Sequence, residues 1–268
     1  MLKRFVARSG ARWIRSRLLR NADSFHRLLG NAVQLQLGRL SDEQFREQLQ
    51  KFYTTFDRKE WMQRVGFESL KERIARGGSY KAQISRLAGE TPRRFSPWSR
   101  RFALLHHLGI RADVLRLRQD EQIPPHGHHR VVSGFYVLEG TVAARNFDRV
   151  REDGDRLFIR KSLDRVLNVG DCTTNSEFHQ NIHWLLGIAP ASYLFRVTVT
   201  GVPSATFSDD RHGGERVYID PRGQPDAAGI NNARYVSEPE AKRVPFHEPQ
   251  GSGSPDNAVE TSKAFSSR

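Results

Sequence analysis

The sequence predicts an α+β protein: an α-helical N-terminal region followed by a C-terminal β-barrel. Two changes along its 268 residues carry that prediction. From about Ala22 to Leu87 the apolar residues recur with a helical period; after Arg100 they fall into short runs rich in Val, Ile, Phe and Tyr, divided by turn residues. The charge changes at the same place. Residues 1–100 hold 22 Lys or Arg against 9 Asp or Glu, while residues 101–268 hold 21 of each, so the whole net charge of +13 sits on the helical part. A basic block beside a neutral one points to an acidic partner or surface for the former. The division expected is a basic helical region at 1–95, a barrel at 96–236 and a polar, disordered tail at 237–268.

Residues 1–20 contain seven basic residues and no acidic one, with Leu2, Phe5, Val6 and Trp13 on one side of a helical wheel. Three readings compete for them: an organelle-targeting segment, a helix lying on an anionic membrane surface, or the basic first helix of the domain. The next signal is sharper. Ser41-Asp42-Glu43-Gln44 has the form of a capping box, and Phe45, Leu49, Phe52, Tyr53 and Phe56 follow at helical spacing. A second helix is expected from Lys59 to Ala75, with Trp61, Val65 and Ile74 inward and Gly77-Gly78 closing it. The aromatic spacing suits a bundle core better than a ligand box. Gly89 to Trp98, with two prolines, reads as a linker. Strands are expected at 112–117, 131–138, 141–146, 157–159, 183–188 and 193–200, with Glu139-Gly140 and Asp153-Gly154 as turns. The small, polar stretch from Gly251 has the composition of a disordered tail.

Several function classes are excluded. A single cysteine, Cys172, rules out an internal disulfide framework and any multi-cysteine metal site. No apolar run of about 20 residues is present to span a bilayer. A cytoplasmic protein is expected, with organelle targeting by residues 1–20 left open. Nucleic-acid binding is disfavoured, because the arginines are spread over several helices without the fingerprint of a DNA-reading element.

The histidines carry most of the functional signal. His126, His128 and His129 crowd into PPHGHHR, and His179 and His183 into EFHQNIHW. On an extended segment His126 and His128 project to the same side, roughly 6–7 Å apart, a spacing that suits two ligands of one metal ion; His129 faces away. A third ligand must come from another strand. On one straight strand His179 and His183 lie roughly 13 Å apart, so both cannot serve the same ion. His183, which opens the apolar run HWLLGI, is favoured, with His179 as the alternative.

The segment PHGHHRVVSGFYVLEG resembles the first motif of the cupin superfamily, whose fold is a jelly-roll β-barrel. On that resemblance His126 and His128 are the ligand pair and Gly140 the closing glycine, while the usual glutamate position falls on Ser133. The second motif is looser: Gly170-Asp171 opens it, the expected Pro-x-Gly is absent, and His183 comes two residues beyond the ordinary spacing. Loss of the glutamate leaves three histidines, similar to the thiol dioxygenases of the cysteine and cysteamine type. That similarity implies Fe(II) as cofactor, with Zn, Ni or Mn as alternatives, and a small thiol or other chelating metabolite plus O2 as substrates. In the cysteine-specific members a cysteine stands at the position of Ser133, so a thioether crosslink of that kind is ruled out here.

Three neutral imidazoles leave a dication uncompensated and coordination positions open, so a thiolate and O2 can bind side by side. Arg100 and Arg101 precede the His-x-His segment at the distance of the carboxylate-binding arginine in cysteine dioxygenase-like sequences. They and Ser133 are the candidate substrate contacts, with surface exposure the competing reading for the arginines. Tyr136 and Tyr193 are candidate catalytic phenols, weighed against simple packing. Cys172 reads as a small buried hydrophobe. The competing function is a non-catalytic metal-binding cupin, a sensor or scaffold whose basic helical region binds an acidic partner, a membrane surface or nucleic acid.

Overall fold

The computed structural model describes residues 24–25, 27–76, 81–83, 109–154, 156–203 and 216–246. Residues 27–36 form helix α1. Helix α2, Asp42–Thr54, starts at the capping box read from the sequence: Gln44 N donates to Ser41 Oγ at 3.1 Å, and Ser41 N to Gln44 Oε1 at 2.9 Å. The single helix expected from Lys59 to Ala75 is two helices, α3 (Arg58–Val65) and α4 (Phe67–Arg76). Gly66 breaks it, adopting a left-handed conformation at φ 63° and taking the C-cap position of α3. The expected closing pair, Gly77-Gly78, lies outside the described residues.

Eleven strands follow among the described residues: β1 (Lys81–Gln83), β2 (Ile110–Arg118), β3 (Gln122–His128), β4 (Val131–Glu139), β5 (Val142–Asp153), β6 (Arg156–Leu167), β7 (Cys172–Asn175), β8 (Ile182–Gly187), β9 (Ala191–Thr200), β10 (Arg216–Asp220) and β11 (Ile230–Tyr235). From β2 to β9 the chain passes back and forth between two sheets, with only β5 and β6 following each other in the same one. One runs β1-β2-β9-β4-β7; in the other, β3-β8-β5-β6 is extended by β11 and β10, and β10 returns to β3 to close a six-stranded barrel.

Side chains that point alternately to either side give each strand of the first sheet two distinct faces. Tyr136 and Leu138 of β4, with Tyr193, Phe195 and Val197 of β9, share one core cluster with Phe45, Leu49, Phe52, Tyr53 and Trp61 of the helices. The helical layer therefore covers the outer face of that sheet. Trp61 and Phe56 pack on Phe195 at ring-centroid distances of 4.3 and 5.6 Å. Tyr53 ties the layers with hydrogen bonds as well, donating to Gly134 O at 2.9 Å and accepting from Val197 N at 3.1 Å. The other face points between the sheets, where Leu115, Leu117, Phe135, Val137, Leu185 and Leu194 form a second cluster. A third, including Phe147, Ile159, Ile182, Val217 and Ile219, comes from the strands of the closed barrel. After β11 a short helix α5, Glu238–Ala241, leads to Val244 and Phe246, which pack on Trp184 and Leu186. The stretch from Gly251 lies outside the described residues. Among the described residues no helix is long and apolar enough to cross a membrane.

Candidate metal centre

Three of the histidines meet between the two sheets. His126 of β3 stands directly opposite His183 of β8, and the irregularity in this pairing between Ile123 and His126 follows the two prolines that precede His126. Ring centroids lie 4.2 Å apart for His126–His183, 4.8 Å for His126–His128 and 5.2 Å for His128–His183. One ring nitrogen from each falls within 4.8 Å of the others. His126 and His183 are buried and His128 is half-buried, on the open side of the cluster.

The protonation state suits ligation. Burial, reinforced by the neighbouring imidazoles, holds His126 and His183 well below the ordinary histidine range, so both are neutral at pH 7. His126 Nδ1 lies 2.7 Å from the Pro124 carbonyl, which can only accept; Nδ1 therefore carries the proton and Nε2 offers its lone pair. His183 Nδ1 lies 3.2 Å from the Asn181 carbonyl, and this contact selects the same tautomer. The Asn175 amide nitrogen, at 3.0 Å from the same Nδ1, is compatible only with the other one. The donor set holds three imidazoles and no carboxylate, and it fits a divalent first-row metal ion.

The remaining sequence candidates separate. His179 is half-buried, 3.5 Å from Asp148, and is not part of the cluster. His129 faces away, as expected, towards Glu177 and Arg149. Ser133 lies one residue removed from the histidines: its hydroxyl and amide both bond Asn175 Oδ1, at 2.7 and 3.1 Å. Tyr136 and Tyr193 are on the opposite face of the sheet, where Tyr136 stacks on Tyr53 at 5.8 Å and Tyr193 meets Phe67 edge-on at 5.6 Å. Arg100 and Arg101 lie outside the described residues. Cys172 is buried against the helices, its thiol pushed up by burial.

Sequence reasoning missed the wall that faces the histidines. Phe135, 5.5 Å from the His183 ring, pairs with Arg196, and Arg196 pairs in turn with Asp113 of β2. Asp113 is 0% exposed and accepts a short hydrogen bond from Arg196, whose side chain is 12% exposed. One step along, Thr198 pairs with Ser133. Asp113 Oδ1, Arg196 Nε and Thr198 Oγ1 are all buried without a protein partner, a concentration of unmet hydrogen-bonding capacity on the inner face of this sheet. The available signal was a charged residue inside an apolar run, in YLFRVTV and in RADVLRL. On the histidine side, Tyr218 and Arg216 of β10 pair with His126 and His128.

The order of the eight strands β2–β9, β2-β9-β4-β7 over β3-β8-β5-β6, decides the architecture. It is a jelly roll. No family model matches the chain, and no curated protein matches it significantly. Solved structures similar to part of it include an oxalate oxidase (17% identity, TM-score 0.28, covering 36% of this chain and 45% of that one). Procruciferin, the 11S globulin from Brassica napus, is similar at 14% identity and TM-score 0.29 over 37% of this chain and 23% of that one. KdgF from Halomonas sp. gives 17% identity and TM-score 0.27 over 37% and 73%. This chain thus spans less than half the length of the first two. Likenesses of this size say nothing about activity.

Proposed function

We propose that this jelly roll is a metal-dependent enzyme that oxidises a small thiol with O2, the metal being held by His126, His128 and His183. The observation that carries the reading is a cluster of three buried or half-buried imidazoles without a carboxylate, set opposite a polar wall with unmet hydrogen-bonding capacity. Fe(II) bound there would supply the redox chemistry that joins both atoms of O2 to a thiolate sulfur, giving a sulfinate. The protein's own share is positioning. Asn181 and Pro124 carbonyls orient two imidazoles, Phe135 forms an apolar side of the space, and Arg196 and Thr198 offer donors to an anionic end of the substrate. The grip assigned from sequence to Arg100 and Arg101 is thereby proposed for Arg196.

The test is elemental analysis of protein purified without a histidine tag, beside His183→Ala, followed by oxygen uptake with a panel of thiols. Near-stoichiometric iron that disappears in the variant, with thiol-dependent oxygen uptake, is expected. Zinc or nickel on the same residues would keep the site and remove the oxidation. No metal after iron reconstitution would overturn both.

A further inference from the structure

The loop between β7 and β8 reaches across the ligand strands through one side chain. Asn181 is 2% exposed, and its amide nitrogen donates to the His128 carbonyl at 2.8 Å and to the Ser176 carbonyl at 2.9 Å. Its backbone carbonyl lies 3.2 Å from His183 Nδ1. A single residue thus touches the backbone of one histidine and the imidazole of another, on neighbouring strands that bring His126 opposite His183.

Gly127 explains how the amide gets there. On an extended strand residue 127 faces away from the side taken by His126 and His128. A Cβ built on Gly127 would lie 2.4 Å from Asn181 Oδ1 and 2.6 Å from Ile182 Cδ1. The space behind the His-x-His pair is therefore filled by Asn181, and only glycine leaves room for it. The same loop secures the chain just beyond: Glu177 accepts from Arg130 N at 2.6 Å, where the backbone turns through a left-handed conformation at φ 56°.

We propose that Asn181, seated in the gap left by Gly127, is the positioning residue that sets the spacing of the three-histidine site and hence its metal affinity. The inference rests on the metal-binding reading above. Carbonyls and amides that fix a ligand histidine from behind are worth about 10- to 100-fold in metal affinity.

The experiment uses the full chain and Co(II) alone, with affinity read by competition against a chromophoric chelator and ligand field read from the visible spectrum. Asn181→Ala is expected to weaken Co(II) about 10- to 100-fold and shift the visible bands. Gly127→Ala, which keeps Asn181 and displaces it, is expected to do the same and carries the test should Asn181→Ala fail to fold. Because both act through one contact, the double variant is expected within about threefold of the weaker single rather than at the product of the two losses. Melting temperatures of the metal-free variants separate loss of the fold from loss of spacing. Co(II) affinity within threefold of wild type in both single variants, or losses that multiply in the double, overturns the role of Asn181 and leaves the metal site standing. A wild-type chain that binds no Co(II) overturns the metal reading itself, and this inference with it.

Discussion

Replacing Arg196 with Gln tests the polar wall at its centre. Asp113 is fully buried and its partner nearly so, which makes them a buried ion pair across directly opposed positions of β2 and β9. Removing one member of such a pair strands the other charge in a low dielectric, at about 3–5 kcal/mol. Because the Arg196 side chain retains 12% exposure, some water reaches it, and the lower end of that range is the expectation. This is a large share of the roughly 5–15 kcal/mol that holds a domain together. Adding Asp113→Asn removes the stranded charge and restores an amide–amide hydrogen bond, so the double variant is expected within about 1–2 kcal/mol of wild type. Urea unfolding of the four proteins, at unchanged m, gives the coupling. In the stable double variant, iron-loaded, the preference for mercaptoacetate over 2-mercaptoethanol in oxygen uptake should fall about tenfold or more, the worth of one charge-assisted hydrogen bond. Arg196→Gln alone costing under about 1 kcal/mol would refute the reasoning, because the wall would then be wet.

Three further outcomes follow from the same structure. Tyr53→Phe removes the hydroxyl that bridges Gly134 O and Val197 N, and is expected to cost about 1–3 kcal/mol by urea unfolding; no measurable change would mean that the helical layer does not depend on it. In the metal-free protein, His126 and His183 stay neutral when folded but take up protons near pH 6.5 when unfolded, so their stabilisation is complete above pH 6.5. It should fall below that pH by about 1.4 kcal/mol per unit for each histidine, and urea midpoints at pH 7.5, 6.5 and 5.5 that do not move would contradict it. Gly140 and Gly154 both have positive φ, but a Cβ meets the Ala191 carbonyl oxygen at 2.5 Å at the first and open space at the second. Gly154→Ala should cost about 1–2 kcal/mol and Gly140→Ala more, and equal melting temperatures for the two would show that the steric contact is relieved.

What sequence alone determined are the features written in neighbouring residues. The capping box at Ser41 and Gln44 is a four-residue pattern whose hydrogen bonds close within one turn. The His-x-His pair shares a side because a strand alternates, and His183 could be preferred over His179 because it opens the apolar run HWLLGI. The Val- and Phe-rich runs marked six strands, β5 and β6 only at their starts, while β1, β3, β7, β10 and β11, short or polar, carried no such run. The break at Gly66 was also local, a glycine in a helical pattern, and was outweighed there by the apolar period on either side.

Tertiary structure alone decided which face of each strand does what. Alternation says that Ser133 and Phe135 share one side of β4 and that Gly134 and Tyr136 share the other; it does not say which side the helices cover. The sheet packs Tyr136 and Tyr193 under α2 and α4 and turns Ser133 and Phe135 towards the histidines. Asp113 and Arg196 are 83 residues apart and meet only because β2 and β9 are neighbours. Asn181 reads as an ordinary loop residue until β3 and β8 pair and place its amide behind Gly127. Periodicity records the shape of a single element, whereas a site is made where elements far apart in the chain bury their polar groups together, and that burial is a property of the packed molecule.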